Sequence, residues 1–340
     1  MQETIQDIAI AMVAPGKGIL AADESTPTIG KRLAGIEVEN TEENQIKYRG
    51  LLFTTPEIEK YISGVIMYDE TLHQSGKDGV SFPELLKSRG IIPGVKVDMG
   101  TEFFEGSDPS ADGEKYTKGL DGLDERLKEY YKLGARFAKW RATFSISDEL
   151  PTDSLINKNA EDLAEYAFVC QQNNIVPIVE PEVLMDGDHT IERCFEVTKQ
   201  VLQVTFEKLK NRGVQLDGVV LKPNMVIAGQ DAQKDTPETV ADMTVKCFRE
   251  VVPKDVSGIV FLSGGQTERQ ACENLNAMNC TDEMHPWELS FSYGRALQAS
   301  TLKAWLGKDE NIKNAQEVFL HRCKMTSMAR SGEYSGDLEN

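Results

Sequence analysis

Short apolar runs alternate along this chain with longer stretches whose apolar residues recur every three to four positions. The runs fall at 18–22, 62–67, 91–95, 136–140, 175–179, 216–221, 258–262 and 287–292; they are rich in β-prone residues, bounded by turn formers, and read as strands. Helical periodicity fills 121–133, 160–172, 190–212, 236–251 and 267–278. Strand and helix alternating throughout favours a parallel sheet over separate all-α and all-β parts. The ends of four consecutive runs are almost evenly spaced, with 41 residues from Lys139 to Glu180, 42 from Glu180 to Lys222 and 41 from Lys222 to Ser263. A repeating βα unit produces such spacing. Eight units without a G-x-G-x-x-G fingerprint predict an α/β chain closed into a single (β/α)8 TIM barrel rather than an open dinucleotide-binding sheet. No linker divides the chain, so 1–330 is expected to form the barrel and 331–340 a short, flexible C-terminal tail.

Composition bounds the partners. With 40% hydrophobic and 27% charged residues among 340, the chain has ample core for a globular fold. Its 55 acidic residues against 37 basic ones give a formal charge of −18, which argues against nucleic acid or an anionic membrane as the main partner. An anionic substrate would have to meet a local cluster of Lys and Arg, so where the basic residues stand matters more than their number. Cys170, Cys194, Cys247, Cys272, Cys280 and Cys323 are scattered without C-x-x-C spacing, as expected of reduced thiols. The segment 1–14 carries Glu3 and Asp7 but no Lys or Arg and is amphipathic, unlike a signal or transit peptide; no run approaches transmembrane length. The expected location is the cytoplasm.

Every apolar run ends in polar residues, and on a barrel these ends converge on one mouth. Lys139 and Arg141, Glu180 and Glu182, and Lys96 and Asp98 are each two apart, so the members of a pair face the same side of a strand. Lys222 directly follows an apolar strand, and desolvation with a neighbouring cation such as Lys139 favours the neutral amine that a Schiff base requires. Glu180, with Glu182 on the same face, suits acid/base work, and Asp23 adds a carboxylate from the first strand. Ser263, Gly264 and Gly265, and Gly294 with Arg295, precede helices after the last two strands, the usual barrel phosphate site. Ser25, Thr28, Lys31, Arg32 and Lys96 could hold a second phosphate, and two anion sites imply a bisphosphate. His73, His189, His285 and His321 are far apart without metal-ligand spacing, which predicts no metal. An iminium on Lys222 would serve instead as the electron sink for the carbanion left by C–C cleavage.

Seven segments carry a resemblance: GILAADES at 18–25, GVKVD at 94–98, FAKWR at 137–141, IVEPE at 178–182, VLKPN at 220–224, FLSGGQ at 261–266 and FSYGRAL at 291–297. In content and order they resemble the signature segments of class I fructose-bisphosphate aldolases, and the similarity runs from about residue 8 to 338. The resemblance implies Lys222 as Schiff-base lysine, Glu180 as acid/base, Asp23 and Lys139 as partners in proton transfer and charge placement, and Glu182 as an orienting carboxylate. It implies Ser263, Gly264, Gly294 and Arg295, assisted by Arg32, at the C1 phosphate, and Ser25, Thr28 and Lys96, with Arg141 nearby, at the C6 phosphate. It further implies no cofactor, a homotetramer, and a place in glycolysis and gluconeogenesis.

Two positions depart from the family pattern. Pro27-Thr28 stands where the family usually has Gly-Ser, which keeps a hydroxyl and stiffens the segment. The sequence ends at Asn340 without the family's terminal tyrosine, so the late proton exchange at the enamine is expected to be slow or to use another group. The rivals are another Schiff-base lyase, such as a transaldolase or a fructose 1-phosphate or sedoheptulose 1,7-bisphosphate aldolase, and a non-catalytic barrel used as a scaffold. Intact Lys222, Glu180, Asp23 and Lys139 argue against the scaffold.

Overall fold

The computed structural model describes residues 3–106, 113–280 and 285–339; Met1, Gln2 and Asn340 of the two terminal expectations lie outside them. Eight parallel strands close into a barrel in the order β1 (Gly18–Ala22), β10 (Glu288–Tyr293), β9 (Gly258–Phe261), β8 (Val220–Leu221), β7 (Val176–Val183), β6 (Phe137–Phe144), β3 (Ile92–Lys96) and β2 (Ile62–Met67). Two strands not foreseen, β4 (Thr101–Phe103) and β5 (Lys115–Thr117), form an antiparallel pair between β3 and β6. The helices are α1 (Ile5–Met12), α2 (Thr26–Ala34), α3 (Glu42–Phe53), α4 (Asp69–Leu72), α5 (Phe82–Ser88), α6 (Leu123–Lys132), α7 (Asp153–Gln172), α8 (Ile191–Arg212), α9 (Pro237–Val251), α10 (Glu268–Asn279), α11 (Arg295–Trp305) and α12 (Ile312–Arg330). Among the described residues no helix is long and apolar enough to cross a membrane.

Strand alternation sorts the core into two layers. Ile19, Ala21, Ile66, Phe137, Val176, Ile178, Val220 and Val260 fill the barrel interior, and Ile8, Ala9, Met12 and Val13 of α1 and its C-cap close it from below. Leu20, Val65, Val95, Ala138, Trp140, Val179, Leu221 and Phe261 face outward and pack with the helices. Inside, the Phe137 ring occupies the space over Gly94, where a built Cβ would lie 2.2 Å from it. Large thus faces small, as native packing density requires.

The helix starts are chemically explicit. Thr152, Thr190, Thr236 and Thr267 cap α7 to α10, each accepting the N–H three residues on, with an acidic residue in each first turn. Thr152 also explains why α7 begins seven residues before the periodic stretch at 160: its first two turns include polar positions that periodicity alone does not register. The sixth barrel strand is shorter than the apolar run 216–221, because Leu216–Gly218 turns as a 3-10 helix and Pro223 offers no N–H to prolong the ladder. At the other end of the chain, Tyr334 N–H donates to Asn276, and Glu339 takes Tyr334 Oη and Arg322. The six cysteines are all free, and only Cys280 is exposed.

Candidate active site

The interior positions that are apolar low in the barrel become charged towards its C-terminal mouth. On β1, Ile19 and Ala21 are followed by Asp23; on β6, Phe137 by Lys139 and Arg141; on β7, Val176 and Ile178 by Glu180 and Glu182; on β8, Val220 by Lys222. Lys139 Nζ lies 2.7 Å from Asp23 Oδ2 and 3.2 Å from Glu180 Oε2, and Lys222 Nζ lies 3.1 Å from Glu180 Oε1. Two amines and two carboxylates therefore form one buried, charge-balanced chain, with Lys222 only 4% exposed. The balance is what makes burial tolerable, since an unpaired charge here would cost several kcal/mol.

Electrostatics give the members distinct roles. Burial alone would raise the Asp23 pKa, but Lys139, Lys222 and Lys96 hold it well below the carboxylate range. Burial likewise acts to raise Glu180, and Lys139, Lys222 and Arg141 overcome it, so that it too is lowered. Lys139 is opposite: burial works against its charge, and Asp23, Glu180 and Asp98 keep it protonated beyond the usual lysine range. Glu180 Oε2 accepts no directed hydrogen bond, Lys139 being an ion-pair neighbour only, so one lone pair remains for a substrate proton. Behind Lys222, the buried Asn224 takes the Val183 N–H and donates to Thr198 and the Met225 carbonyl, fixing the turn that carries the amine.

Two groups of helix-start backbone N–H groups and basic side chains flank this chain. Ser263, Gly264 and Gly265 lead into α10, and Gly294 is the N-cap of α11 with no side chain to occupy the first-turn N–H groups. Arg295 is exposed there and has no ion-pair partner among the described residues. Arg32 belongs to this side, its Nη2 lying 3.7 Å from a Cβ built on Gly294. At the neighbouring strand end, after β1, Ser25 is the N-cap of α2, with its Oγ 3.1 Å from Thr28 Oγ1. Pro27 sits in the first turn of that helix rather than in a loop; the missing N–H costs no helix bond there and leaves one donor fewer at the helix start. Lys96 Nζ holds Asp98, and Arg141 holds Glu182.

Sequence reasoning missed Met185 and Arg49. Met185 packs beneath the glycine cradle, its Sδ 1.9 Å from a Cβ built on Gly265. Arg49 is a buried guanidinium on α3 beside Glu24. A charged residue interrupting the buried stretch 48–53 was the only available signal for Arg49; none existed for Met185. Among the described residues no three His, Cys, Asp or Glu side chains converge so as to hold a metal ion.

Fold and site together define a barrel enzyme built around a buried amine and its carboxylates, flanked by glycine-rich helix starts and basic side chains. The family model for class-I fructose-bisphosphate aldolase matches residues 4–340. Cytosolic fructose-bisphosphate aldolase 6 of Arabidopsis thaliana is 54% identical, over 95% of this chain and 89% of that one. Cytoplasmic isozyme 1 of Pisum sativum is 53% identical over 96% and 90%. Among solved structures, the Plasmodium falciparum fructose-bisphosphate aldolase, crystallised with TRAP and a small-molecule inhibitor, superposes with a TM-score of 0.95 at 51% identity, covering 98% of this chain and 95% of that one. The chain belongs to the class-I fructose-bisphosphate aldolase family.

Proposed function

We infer that this chain reversibly cleaves fructose 1,6-bisphosphate to dihydroxyacetone phosphate and glyceraldehyde 3-phosphate, within glycolysis and gluconeogenesis. The observation that carries the mechanism is Glu180 lying 3.1 Å from Lys222 on one oxygen while its other oxygen accepts no hydrogen bond. Lys222 passes a proton to Glu180 and its free amine adds to the C2 ketone. Loss of the ammonium then removes one of the cations holding Glu180 ionised, so Glu180 keeps the proton long enough to expel the carbinolamine hydroxyl as water. The iminium accepts the electron pair when C3–C4 breaks. Asp23, kept ionised by Lys139, is the second carboxylate for protons released in that step, and Glu182 holds Arg141 in place.

Ser263, Gly264, Gly294, Arg295 and Arg32 take the C1 phosphate; Ser25, Thr28, Lys96 and Arg141 face the C6 phosphate. Relatives named as cytosolic or cytoplasmic isozymes support a cytosolic location, and a homotetramer is proposed as the assembly. Borohydride added with dihydroxyacetone phosphate should inactivate the protein and leave a reduced adduct on the peptide containing Val220, Leu221 and Lys222, with EDTA without effect. Cleavage that persists with no adduct on that peptide would overturn the imine route.

The glycine cradle offers a separate check. Gly265 has φ +63°, a region costing a side chain about 1 kcal/mol or more, and its neighbour Met185 leaves no room for a methyl. Gly265→Ala should therefore raise KM for the bisphosphate about tenfold through displacement of the cradle. An unchanged KM in steady-state kinetics would show that the loop does not touch phosphate.

A further inference from the structure

Behind the C1-phosphate side lies a buried charge cluster that the catalytic chain does not use. Glu24 follows Asp23 but points to the opposite side of β1, and its side chain is 3% exposed. Arg32 Nη1 binds its Oε1, and Arg49 Nη2 lies 2.6 Å from its Oε2. Gln298, on the second turn of α11, donates to Glu24 Oε1 at 3.1 Å and to the Ala21 carbonyl at 2.8 Å. Tyr48 Oη donates to Gln298 Oε1 at 2.9 Å, which fixes the orientation of that amide. Arg49 is 2% exposed, and its Nη1 has no hydrogen-bond partner.

The two guanidinium forks face different ways. Arg32 holds Glu24 with Nη1 and turns Nη2 towards Gly294, so it bridges the buried carboxylate and the cradle. Arg49 meets the same carboxylate from inside the protein. With Arg32 alone, Glu24 would cancel the charge that the cradle needs and would present an anion behind an arriving phosphate. With Arg49 in place, Glu24 is neutralised from behind and the Arg32 charge remains uncompensated towards the mouth.

We propose that Arg49 is a positioning residue for C1-phosphate binding, acting through Glu24 to keep the Arg32 guanidinium electrostatically available. The proposal rests on the reading that Arg32 and Gly294 meet that phosphate. Because the effect is on charge rather than shape, removing Glu24 should compensate for removing Arg49.

The test is steady-state kinetics with fructose 1,6-bisphosphate, with inorganic phosphate as competitive inhibitor. Arg49→Met should raise KM and the phosphate inhibition constant together by about tenfold, with kcat changing less than about threefold, as expected for a lost charge acting across a partly shielded site. Arg49→Lys, which keeps the charge, should stay within about threefold of wild type in KM. The double variant Arg49→Met with Glu24→Gln should return KM to within about threefold of wild type, since both opposing charges are then gone. Unchanged KM in Arg49→Met, or no recovery in the double variant, overturns the proposal. If Arg49→Met alone does not fold, the double variant decides: a KM near wild type supports the proposal and a tenfold rise defeats it. Arg32→Ala separates the levels. If it leaves KM unchanged, the phosphate-site reading itself fails; if it raises KM while Arg49→Met does not, only the role of Arg49 fails.

Discussion

Lys222→Met should lose bisphosphate cleavage by on the order of 10⁴–10⁶-fold while remaining folded, the largest single effect expected in this protein. Methionine replaces the stem of a side chain that is almost wholly buried, so packing around Val220 and Leu221 survives. Glu180 loses one cation but keeps Lys139 at 3.2 Å, which limits the stability cost to about 1–3 kcal/mol rather than that of an orphaned buried charge. The activity, by contrast, has no substitute, because Lys139 is pinned between two carboxylates and stays protonated. Cleavage assays with denaturant unfolding separate the two effects. Near-normal turnover in a folded Lys222→Met protein would refute the covalent route.

Glu180→Gln comes second, with kcat falling about 10²–10⁴-fold, because the amide keeps the shape of the site but cannot shuttle the proton. Imine formation should slow as well, so borohydride trapping in a fixed time should yield less adduct on Lys222. The pH dependence of stability gives an independent signature. Asp23 and Glu180 are held below the ordinary carboxylate range, so their stabilising contribution is complete above about pH 4–5 and is lost as pH falls through their folded-state values. Lys139 is held above the ordinary lysine range, so its share persists to about pH 10 and is lost as pH rises through its folded-state value. Glu180→Gln should thus be less stable than wild type by about 2–4 kcal/mol at neutral pH, with the gap shrinking under acid conditions. A gap that is the same at pH 3 and pH 7 would mean that folding does not lower the Glu180 pKa.

Much of this site was readable before any folding, for a definite reason. A two-residue alternation sets the facing of a side chain within its own strand, so Lys139 and Arg141, or Glu180 and Glu182, share a face whatever the rest of the chain does. That local rule, with the near-equal spacing of the strand ends, fixed eight strands, one mouth and the charged residues in it. It also located the glycine-rich starts of α10 and α11, because glycine before a helix start is a local feature. The helix boundaries were less legible where, as at Thr152, the cap precedes a polar first turn.

What local pattern could not supply was contact between residues far apart in sequence. Gln298 reaches the Ala21 carbonyl across 277 positions only because the barrel closes β10 onto β1. The same closure sets Arg32 beside Gly294, while the packing of α2 and α3 brings Glu24 between two guanidiniums and the segment after β7 sets Met185 against Gly265, two strands away on the barrel. The amino-acid sequence alone thus determined which side chains face the barrel axis, since that depends on strand period. The tertiary structure decided which of them touch and which charges are left uncompensated, since that depends on how the eight strands and their helices come together.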